Sequence, residues 1–552
     1  MLSTFAQHLG TNYCPSEDEV LEVKNLIAEP TRQLLTLDEE ISQLQKSIEK
    51  LQEKRKTLST YVDEYKALIS PIRRIPQDVL SEIFIACLPT HRNCVMSASE
   101  APVLLGRICS SWRALSLATP RLWASLHIVE PRALRSGLYD DKIDQRLEVM
   151  KMWLGRSGQC PLSISFHCTE YYAAPADDES TGILPHPVPV DVFPRELVSF
   201  ARRWRRVSFM ASLPALHAMA ALTAADVPML QSVSVFVHSP HENSLARFGI
   251  LEAPRISSFA AYTGELYTSE SEWLPLRWDL LTNLEFQTNP WEMPLNVEKA
   301  LELLSSCPQL RSCNLPVGDV PGDPTNTLSR DPPVELLHLH TLKLSMIRGG
   351  SSFLKKLYLP NLRKFVIRGN AQDSLPQFLR SSISLESLDI DGPHYSKTSQ
   401  LEVLRAVSPT MRHLIIRDFW GPSVARFLDD EFMEMLTPVF HSSTDISQCC
   451  CPSLESLTVA CRHDISDWAV EQFVVRRMST TDCSTPSLKR VRFQFNRPMK
   501  LDITPSLKPF MDAGLEVEMM YSISRPSHLS PWFGLADSRE SSTPEVSYPA
   551  HW

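Results

Sequence analysis

The sequence has little glycine. Glycine accounts for 17 of 552 residues, about 3% where about 7% is usual. Loops that cradle a phosphate need glycine, because their backbone must approach the ligand closely. The composition therefore argues against a phosphate-binding loop. Proline is enriched instead, at 42 residues, which predicts many short elements that end and restart.

Other absences narrow the class of protein. No run of about 20 apolar residues predicts a membrane-spanning helix, and residues 1–15 lack the basic start and apolar stretch of a secretory signal. The 13 cysteines are scattered and odd in number, which favours free thiols in a reducing compartment. We therefore expect a protein of the cytoplasm, the nucleus or both. A net charge of −9 predicts no general attraction to nucleic acid or a membrane surface.

Motifs for chemistry are also missing. The chain has no phosphate-binding loop motif, no dinucleotide fingerprint, no His-Glu-x-x-His and no Gly-x-Ser-x-Gly. Cys449-Cys450-Cys451 with Cys461 and His463 is the nearest approach to a metal cluster, but three adjacent cysteines reach the corners of a zinc tetrahedron poorly. Cys109 occupies an apolar helical position and is predicted to be a buried thiol. We expect no enzyme activity, no cofactor and no metal site.

A heptad pattern follows a polar leader at residues 1–30. One seam carries Leu34, Ile41, Ile48, Arg55, Val62 and Ile69, and the other carries Leu37, Leu44, Leu51, Leu58 and Tyr65. Apolar residues sustained at this spacing predict a coiled-coil helix over residues 31–69. The pattern leaves three possibilities open for the seam: packing on its own chain, self-association, or pairing with another protein.

Residues 70–125 are predicted to form a small helical block. Pro76 suits a first helical turn, and the four apolar residues that follow it share one helix face: Val79, Leu80, Ile83 and Phe84. A second helix is expected across residues 101–117, and Pro120 ends it.

The apolar residues of this block resemble an F-box. They run Ile75-Pro76, Val79-Leu80, Ile83-Phe84, Cys109, Trp112-Arg113 and Leu122-Trp123. The amino-acid sequence of this block is similar to that of F-box-like proteins of mushroom-forming fungi, which also have a coiled coil before the box and leucine-rich repeats after it. In this chain residues 90–102 separate the two box helices by more than a compact F-box has.

The resemblance implies a substrate-receptor subunit of a Skp–cullin–F-box type ubiquitin ligase, acting in ubiquitin-dependent protein degradation. The box would dock a Skp-type adaptor and, through it, a cullin-RING ligase, while the repeats would hold a protein substrate. The adaptor contacts it implies are Ile75, Pro76, Val79, Leu80, Ile83, Phe84, Leu88, Cys109, Trp112, Leu122 and Trp123. The alternative is an interaction scaffold, dimerised by the coiled coil, with no ligase role.

Residues 126–200 are predicted to connect the box to the repeats. Ile143, Leu147, Met150 and Leu154 mark a helix. The alternation of Leu162, Ile164 and Phe166 marks a strand, and residues 170–192 form an exposed insertion rich in proline and acidic residues.

A leucine-rich pattern recurs over residues 201–525. Its full form is Pro-x-Leu-x-x-Leu-x-Leu, with other apolar residues allowed. The eleven copies begin at Trp204, Leu230, Ile256, Leu281, Leu310, Leu339, Leu362, Leu385, Met411, Leu454 and Leu488. Nine of the ten intervals are 23 to 34 residues, close to the leucine-rich repeat period. The fold class is therefore α/β, a solenoid of parallel strands and helices, followed by a disordered tail at 526–552.

The repeat also predicts a binding surface. Because side chains alternate along a strand, the residues beside the second leucine point away from the core, to the open face of the sheet. We expect substrate contacts from residues at these positions: Asn314, Lys343, Lys364, Asp389, His413, Arg490 and Arg492.

Overall fold

A computed structural model describes most of the chain. The described residues are 5, 8–130, 139–168, 191–211, 213–237, 248–262, 274–287, 295–318, 333–347, 351–369, 374–391, 397–407, 409–417, 428–440, 446–447, 450–461, 465–479, 488–495 and 497–521. The insertion predicted at 170–192, except its last two residues, and the predicted tail at 526–552 lie outside them. The chain divides into two compact units, residues 1–83 and 84–552.

The first unit contains one long helix, α1 (Glu17–Leu68). Its start is set by a capping box, in which the Ser16 amide donates to the Glu19 carboxylate at 2.8 Å and the Ser16 side chain accepts from the Glu19 amide. These contacts satisfy two amides that a helix start leaves unbonded. The predicted loose leader is therefore wrong from Glu17 onward. The helix continues through Pro30, although proline removes a backbone hydrogen bond there.

Two short elements follow α1. A 3₁₀ helix spans Pro71–Arg74, and α2 spans Gln77–Ala86. Helix α2 begins after Pro76, whose carbonyl accepts from the Leu80 amide at 2.9 Å. The boundary between the two units falls inside α2, and so inside the predicted block at 70–125.

The second unit begins with two short helices in place of the single helix predicted over 101–117. These are α3 (Leu105–Ile108) and α4 (Ser110–Ala118), and a 3₁₀ helix at Pro120–Trp123 follows. Cys109 separates them because its backbone is extended, and its sulfur caps α4 by accepting from the Trp112 amide at 3.5 Å. Cys109 is exposed, so its prediction as a buried thiol is wrong.

Eighteen strands occur in the described residues. They are β1 (Ser125–Val129), β2 (Leu162–His167), β3 (Trp204–Ala211), β4 (Ser232–Val237), β5 (Ser258–Tyr262), β6 (Asn283–Gln287), β7 (Ser312–Gly318), β8 (Val334–Glu335), β9 (Thr341–Ile347), β10 (Leu357–Tyr358), β11 (Lys364–Gly369), β12 (Ser387–Asp391), β13 (His413–Arg417), β14 (Val439–Phe440), β15 (Ile446–Ser447), β16 (Ser456–Cys461), β17 (Arg490–Phe495) and β18 (Glu516–Tyr521). Strands β8 and β10 pair in parallel, and β14 and β15 pair antiparallel.

The other fourteen strands form one parallel sheet in chain order. Helices lie between many of its strands: α5 (Tyr139–Arg156), α6 (Val192–Val198), α7 (Leu213–Ala220), α8 (Val297–Ser305), α9 (Ser351–Lys355), α10 (Leu375–Ser381), α11 (Lys397–Ala406), α12 (Asp430–Leu436), α13 (Asp467–Met478) and α14 (Thr504–Asp512). Four 3₁₀ helices lie at Ala201–Arg203, Ala224–Asp226, Gly249–Glu252 and Trp278–Leu280. This mixed α/β architecture, with a large parallel sheet and a long N-terminal helix, agrees with the predicted repeat solenoid.

All eleven predicted repeat copies lie on strands of the large sheet, but the sheet is longer than predicted. It begins at Ser125, and the helix and strand predicted between the box and the repeats are α5 and β2, of which β2 belongs to the sheet. The pattern misses β1 because three residues, not two, separate Leu122 from Leu126. It misses β18 because one residue, not two, separates Leu515 from Val517. There Gly514, with φ of 106°, follows α14 in a conformation that favours glycine.

The repeat leucines form the core of the second unit. Leu342, Phe365 and Leu414, each the second apolar residue of its copy, are completely buried. Burial of one such side chain contributes about 1.5–3 kcal/mol. Stacking repeats thus bury a continuous apolar layer and leave the alternate positions of every strand on the open face.

Candidate protein-binding surfaces

In the first unit, the predicted adaptor residues on α2 divide by burial. Val79 and Ile83 are 48% and 40% exposed, whereas Leu80 is buried. Pro76 is exposed and Ile75 is half-buried. Because residues four apart share a helix face, Val79 and Ile83 present one short apolar stripe. Leu80 is therefore wrong as a contact residue.

In the second unit, several predicted adaptor residues support the surface rather than form it. Phe84 is completely buried, and its ring centroid lies 4.8 Å from that of half-buried Trp112. Trp123 is also buried and donates its indole N–H to the Ser116 carbonyl at 2.9 Å. Leu122 has no exposed area. The predictions of Phe84, Leu122 and Trp123 as contact residues are wrong, because their side chains fill the interior.

Other apolar residues of the second unit are exposed and were not predicted. Leu104, Ile108 and Leu117 are 41%, 55% and 43% exposed. The periodicity of one continuous helix does not predict their exposure, because the break at Cys109 changes which side chains share a face. Among the predicted residues, Cys109 is exposed and Leu88 is half-buried.

The long segment between the box helices is bound to the edge of the large sheet. The Cys94 carbonyl accepts from the His127 amide at 2.6 Å, and Val95 forms a parallel bridge with His127 on β1. An exposed strand edge carries unpaired amides and carbonyls and invites pairing with other chains. Residues 90–102 therefore cover part of the first edge of the sheet.

An ion pair holds this segment in its bend. Arg92 reaches both carboxylate oxygens of Glu100, at 3.2 and 2.5 Å, and Glu100 also accepts from the Val95 amide at 3.0 Å. The hydrogen bond from Arg92 is the main cause that lowers the pKa of Glu100 from its ordinary value. The segment is thus an ordered part of the second unit.

The open face of the sheet changes in chemistry along the solenoid. Across β1 to β5 it carries mainly small hydroxyl side chains in register, interrupted by His127 and Arg206: Ser125, Ser163, Ser165, Ser208, Ser232, Ser234 and Ser258. From β9 onward the corresponding positions include more charged residues, among them Lys343, Lys364 and Arg490, beside hydroxyl residues such as Thr341 and Ser456. The charged half therefore offers the stronger electrostatic contrast to a partner.

A cationic cluster lies at the centre of the charged half. We define it as Arg368 and Arg417, which contact Asp389, together with Lys364 on the neighbouring strand β11 and Lys343 on β9, two strands from Asp389. Arg368 donates to both carboxylate oxygens of Asp389 at 2.8 and 2.9 Å, and Arg417 does so at 3.0 and 3.0 Å. Asp389 is only 7% exposed. It is therefore wrong as a contact residue, and it orients two arginines that the sequence analysis missed.

The two arginines follow the third apolar residue of their copies, Ile367 and Ile416. Alternation places them on the open face, so extending the pattern by one residue would have found them. Lys343 and Lys364 are exposed and enter no ion pair among the described residues. Among the side chains that the structure describes, the cluster has four cations and one carboxylate, on a chain whose net charge is −9. Asp391, the next acidic residue of β12, pairs in register with Arg417.

The remaining predicted substrate residues have neighbours of their own. Arg490 and Arg492 pair with Glu516 and Glu518 on β18, each with its Nε 2.6 Å from a carboxylate oxygen. Asn314 donates to Glu285 at 3.1 Å. His413 is exposed. The two Arg–Glu pairs cancel in charge, whereas the cationic cluster does not cancel among the described side chains.

Among the described residues, no group of three or more His, Cys, Asp and Glu side chains is placed to hold a metal ion. Cys449 and His463 lie outside that part of the chain. Nor does any helix in it have the length and apolar character needed to cross a membrane.

Comparison with known proteins yields no family. No protein-family model matches the sequence, and no curated protein matches it. Among solved structures, the chain is similar to one titled as the crystal structure of the Rad7 and Elc1 complex in yeast, with 15% identity and a TM-score of 0.35 over 74% of this chain and 94% of that one. A TM-score this low does not establish a shared fold, so nothing about that complex is transferred to this chain.

Proposed function

We propose that this protein is a non-catalytic substrate receptor of a Skp–cullin–F-box type ubiquitin ligase. Residues 70–125 would dock a Skp-type adaptor, and the open face of the sheet would bind a protein substrate. The support is the F-box resemblance at residues 75–123 together with a long parallel sheet that presents varied side chains on a regular scaffold. Ubiquitin transfer would belong to other subunits, and this chain would raise the effective concentration of the substrate.

The exposed apolar residues of the box are the proposed adaptor contacts. In the first unit these are Val79 and Ile83, and in the second they are Leu104, Ile108 and Leu117. Exposed apolar side chains that become buried in an interface supply much of its binding energy. We treat the two groups as separate contacts and test them separately.

Pull-down of a recombinant Skp-type adaptor by the full chain tests this docking. Ile83→Glu and Ile108→Glu should each reduce retention at least tenfold, because each places a charge in an apolar contact. Gln77→Glu on α2 and Ser111→Glu on α4 are the matched controls, since both positions are exposed and polar. Failure of the wild-type chain to retain the adaptor would overturn the docking proposal.

The cationic cluster is the proposed substrate contact, and it indicates a substrate segment rich in acidic residues. Neighbouring strands are about 4.8 Å apart, so β9, β11, β12 and β13 span about 14 Å, which suits several residues of an extended peptide. Arg368 and Arg417 are held in place by Asp389. Less conformational entropy is therefore lost when they bind an anion.

Binding of a fluorescein-labelled octaglutamate peptide, followed by fluorescence anisotropy, tests this contact. The double variant Lys343→Glu with Lys364→Glu should weaken binding at least tenfold, and added salt should weaken binding to the wild type. The matched control is Lys355→Glu with Lys508→Glu, which makes the same charge change at exposed positions on the crossover helices α9 and α14. Equal weakening by both double variants would refute a specific site.

One observation favours a second function. The segment at 90–102 pairs with β1 at the sheet edge, an arrangement that a compact F-box does not need. A chain that binds acidic peptides but no adaptor would be an interaction scaffold with no ligase role. The pull-down and the anisotropy measurement together separate these two functions.

A further inference from the structure

Helix α1 presents an apolar seam to solvent. Nine side chains at its heptad positions are between 45% and 67% exposed: Leu34, Leu37, Ile41, Leu44, Ile48, Leu51, Leu58, Val62 and Tyr65. Ile69, which caps the C-terminus of the helix and continues the seam, is 76% exposed. None of these seam residues is covered within the described part of the chain. A helix gains most of its stability by burying its apolar stripe against another element, so the seam is suited to a partner.

We propose that the partner is a second copy of this chain, in a parallel two-stranded coiled coil over residues 34–69. The inference is independent of what the box and the sheet bind. Its first support is the kind of residue in each seam. Ile41, Ile48 and Val62 are β-branched and occupy the first heptad position, a, whereas the fourth position, d, is leucine in four consecutive heptads, from Leu37 to Leu58. β-Branched residues at a with leucine at d favour two parallel strands.

Arg55 is the second support. It is the one polar residue in the seam, and it occupies an a position. A single polar a residue costs stability but specifies register and the number of strands. In a parallel pair in register, Arg55 meets Arg55 of the other copy. The long side chains can reach solvent past the seam of a two-stranded coil, whereas a shift by one heptad would place each arginine against an apolar residue.

The flanking positions permit this pairing. In a parallel pair the e and g positions of the two chains meet, and here they bring together Gln33 with Asp38, Glu40 with Gln45, Ser47 with Gln52, Lys54 with Ser59 and Tyr61 with Lys66. No pair joins like charges, so the rim of the seam does not oppose self-association. A seam with like-charged flanks would instead have required a different partner.

The size of the surface also fits a stable dimer. The seam and its flanks comprise 21 positions a chain, within the range of about 20–30 residues a side found in specific interfaces. The paired segment would be about 54 Å long. In a parallel pair both chains leave the coil at the same end, so one assembly would carry two boxes and two open sheet faces and would bind bivalent partners by avidity.

Light scattering on the full chain tests the number of copies. The wild type should have twice the chain mass of 62.5 kDa, and Leu44→Glu with Leu51→Glu should have the mass of one chain. The matched control is Ser42→Glu with Gln43→Glu, which adds the same two charges on the outer face of α1 and should remain dimeric. A monomeric or trimeric wild type at micromolar concentration, or a dimeric seam variant, would overturn the proposal.

Mixing wild type with Arg55→Glu tests the parallel register. If residue 55 meets residue 55, the mixed pair joins opposite charges, and native mass spectrometry should show mixed dimers clearly above the half expected at random. A mixture of wild type with Gln43→Glu should stay at random proportions. In an antiparallel pair, with Arg55 opposite Leu44, the Arg55→Glu mixture would also be random, and that result would refute the parallel arrangement.

Discussion

Replacing Arg497 by methionine should loosen the C-terminal end of the solenoid. Arg497 and Asp467 form an ion pair whose side chains are 4% and 1% exposed, with nitrogen–oxygen distances of 2.7 and 3.2 Å. Asp467 also accepts from the Lys500 and Leu501 amides and from the Tyr521 hydroxyl at 2.9–3.0 Å. One buried carboxylate thus joins the start of α13, the loop after β17, and β18.

The magnitude follows from burial. Removing one partner of a buried ion pair leaves the other charge uncompensated and costs about 3–5 kcal/mol. Arg497→Met also leaves the Ile465 carbonyl, which accepts from the guanidinium at 2.8 Å, without that donor. At about 1.4 kcal/mol for each factor of ten, the protection of β17 and β18 amides against hydrogen exchange should fall by about two to three and a half powers of ten. Hydrogen exchange measures the local opening of each strand. It is the appropriate measurement here because each repeat contacts only its neighbours, so that one end of the solenoid can open by itself.

The control for this substitution is a pair of the same chemistry at the surface. Arg277 and Asp279 are each 55% exposed and lie 3.1 Å apart, and an exposed pair contributes about 0–1 kcal/mol. Arg277→Met should therefore leave exchange nearly unchanged. A fall below tenfold at β17 and β18 in Arg497→Met, or an equal fall in both variants, would refute the assignment of stability to the buried pair.

Three further predictions follow. Burial raises the pKa of Asp467, but the hydrogen bonds from Arg497, the two amides and Tyr521 outweigh it and lower the pKa from 3.8. The stability that the ionised carboxylate contributes should therefore be complete above about pH 4 and should fall as acid protonates the folded form. Acid titration followed by hydrogen exchange should show this pH dependence in the wild type and not in Asp467→Asn. Burial raises the pKa of Cys307 to about 12, so maleimide at pH 8 should label exposed Cys109 and leave Cys307 unlabelled until the protein unfolds. Peptide mass spectrometry identifies the labelled cysteines, and labelling of Cys307 before unfolding would contradict its burial. Glu100→Gln should weaken the ion pair that bends residues 90–102 and speed exchange of the Val95 amide about tenfold, and unchanged exchange would show that the segment does not depend on this pair.

The sequence alone predicted features that depend on local periodicity. The heptads predicted a helix over the seam, and the leucine pattern located eleven strands, because burial on one face imposes a spacing that is visible along the chain. The same alternation placed Lys343 and Lys364 on the open face, where the structure has them.

The tertiary structure decided everything that depends on contacts between distant residues. No spacing shows that Asp389 is enclosed by Arg368 and Arg417, which come from the strands on either side of it. Nor does helical periodicity distinguish Ile83, which is exposed, from Phe84, which fills the interior, since both lie on one apolar stripe. Periodicity identifies which face of an element is apolar, whereas packing alone determines which part of that face stays open to a partner.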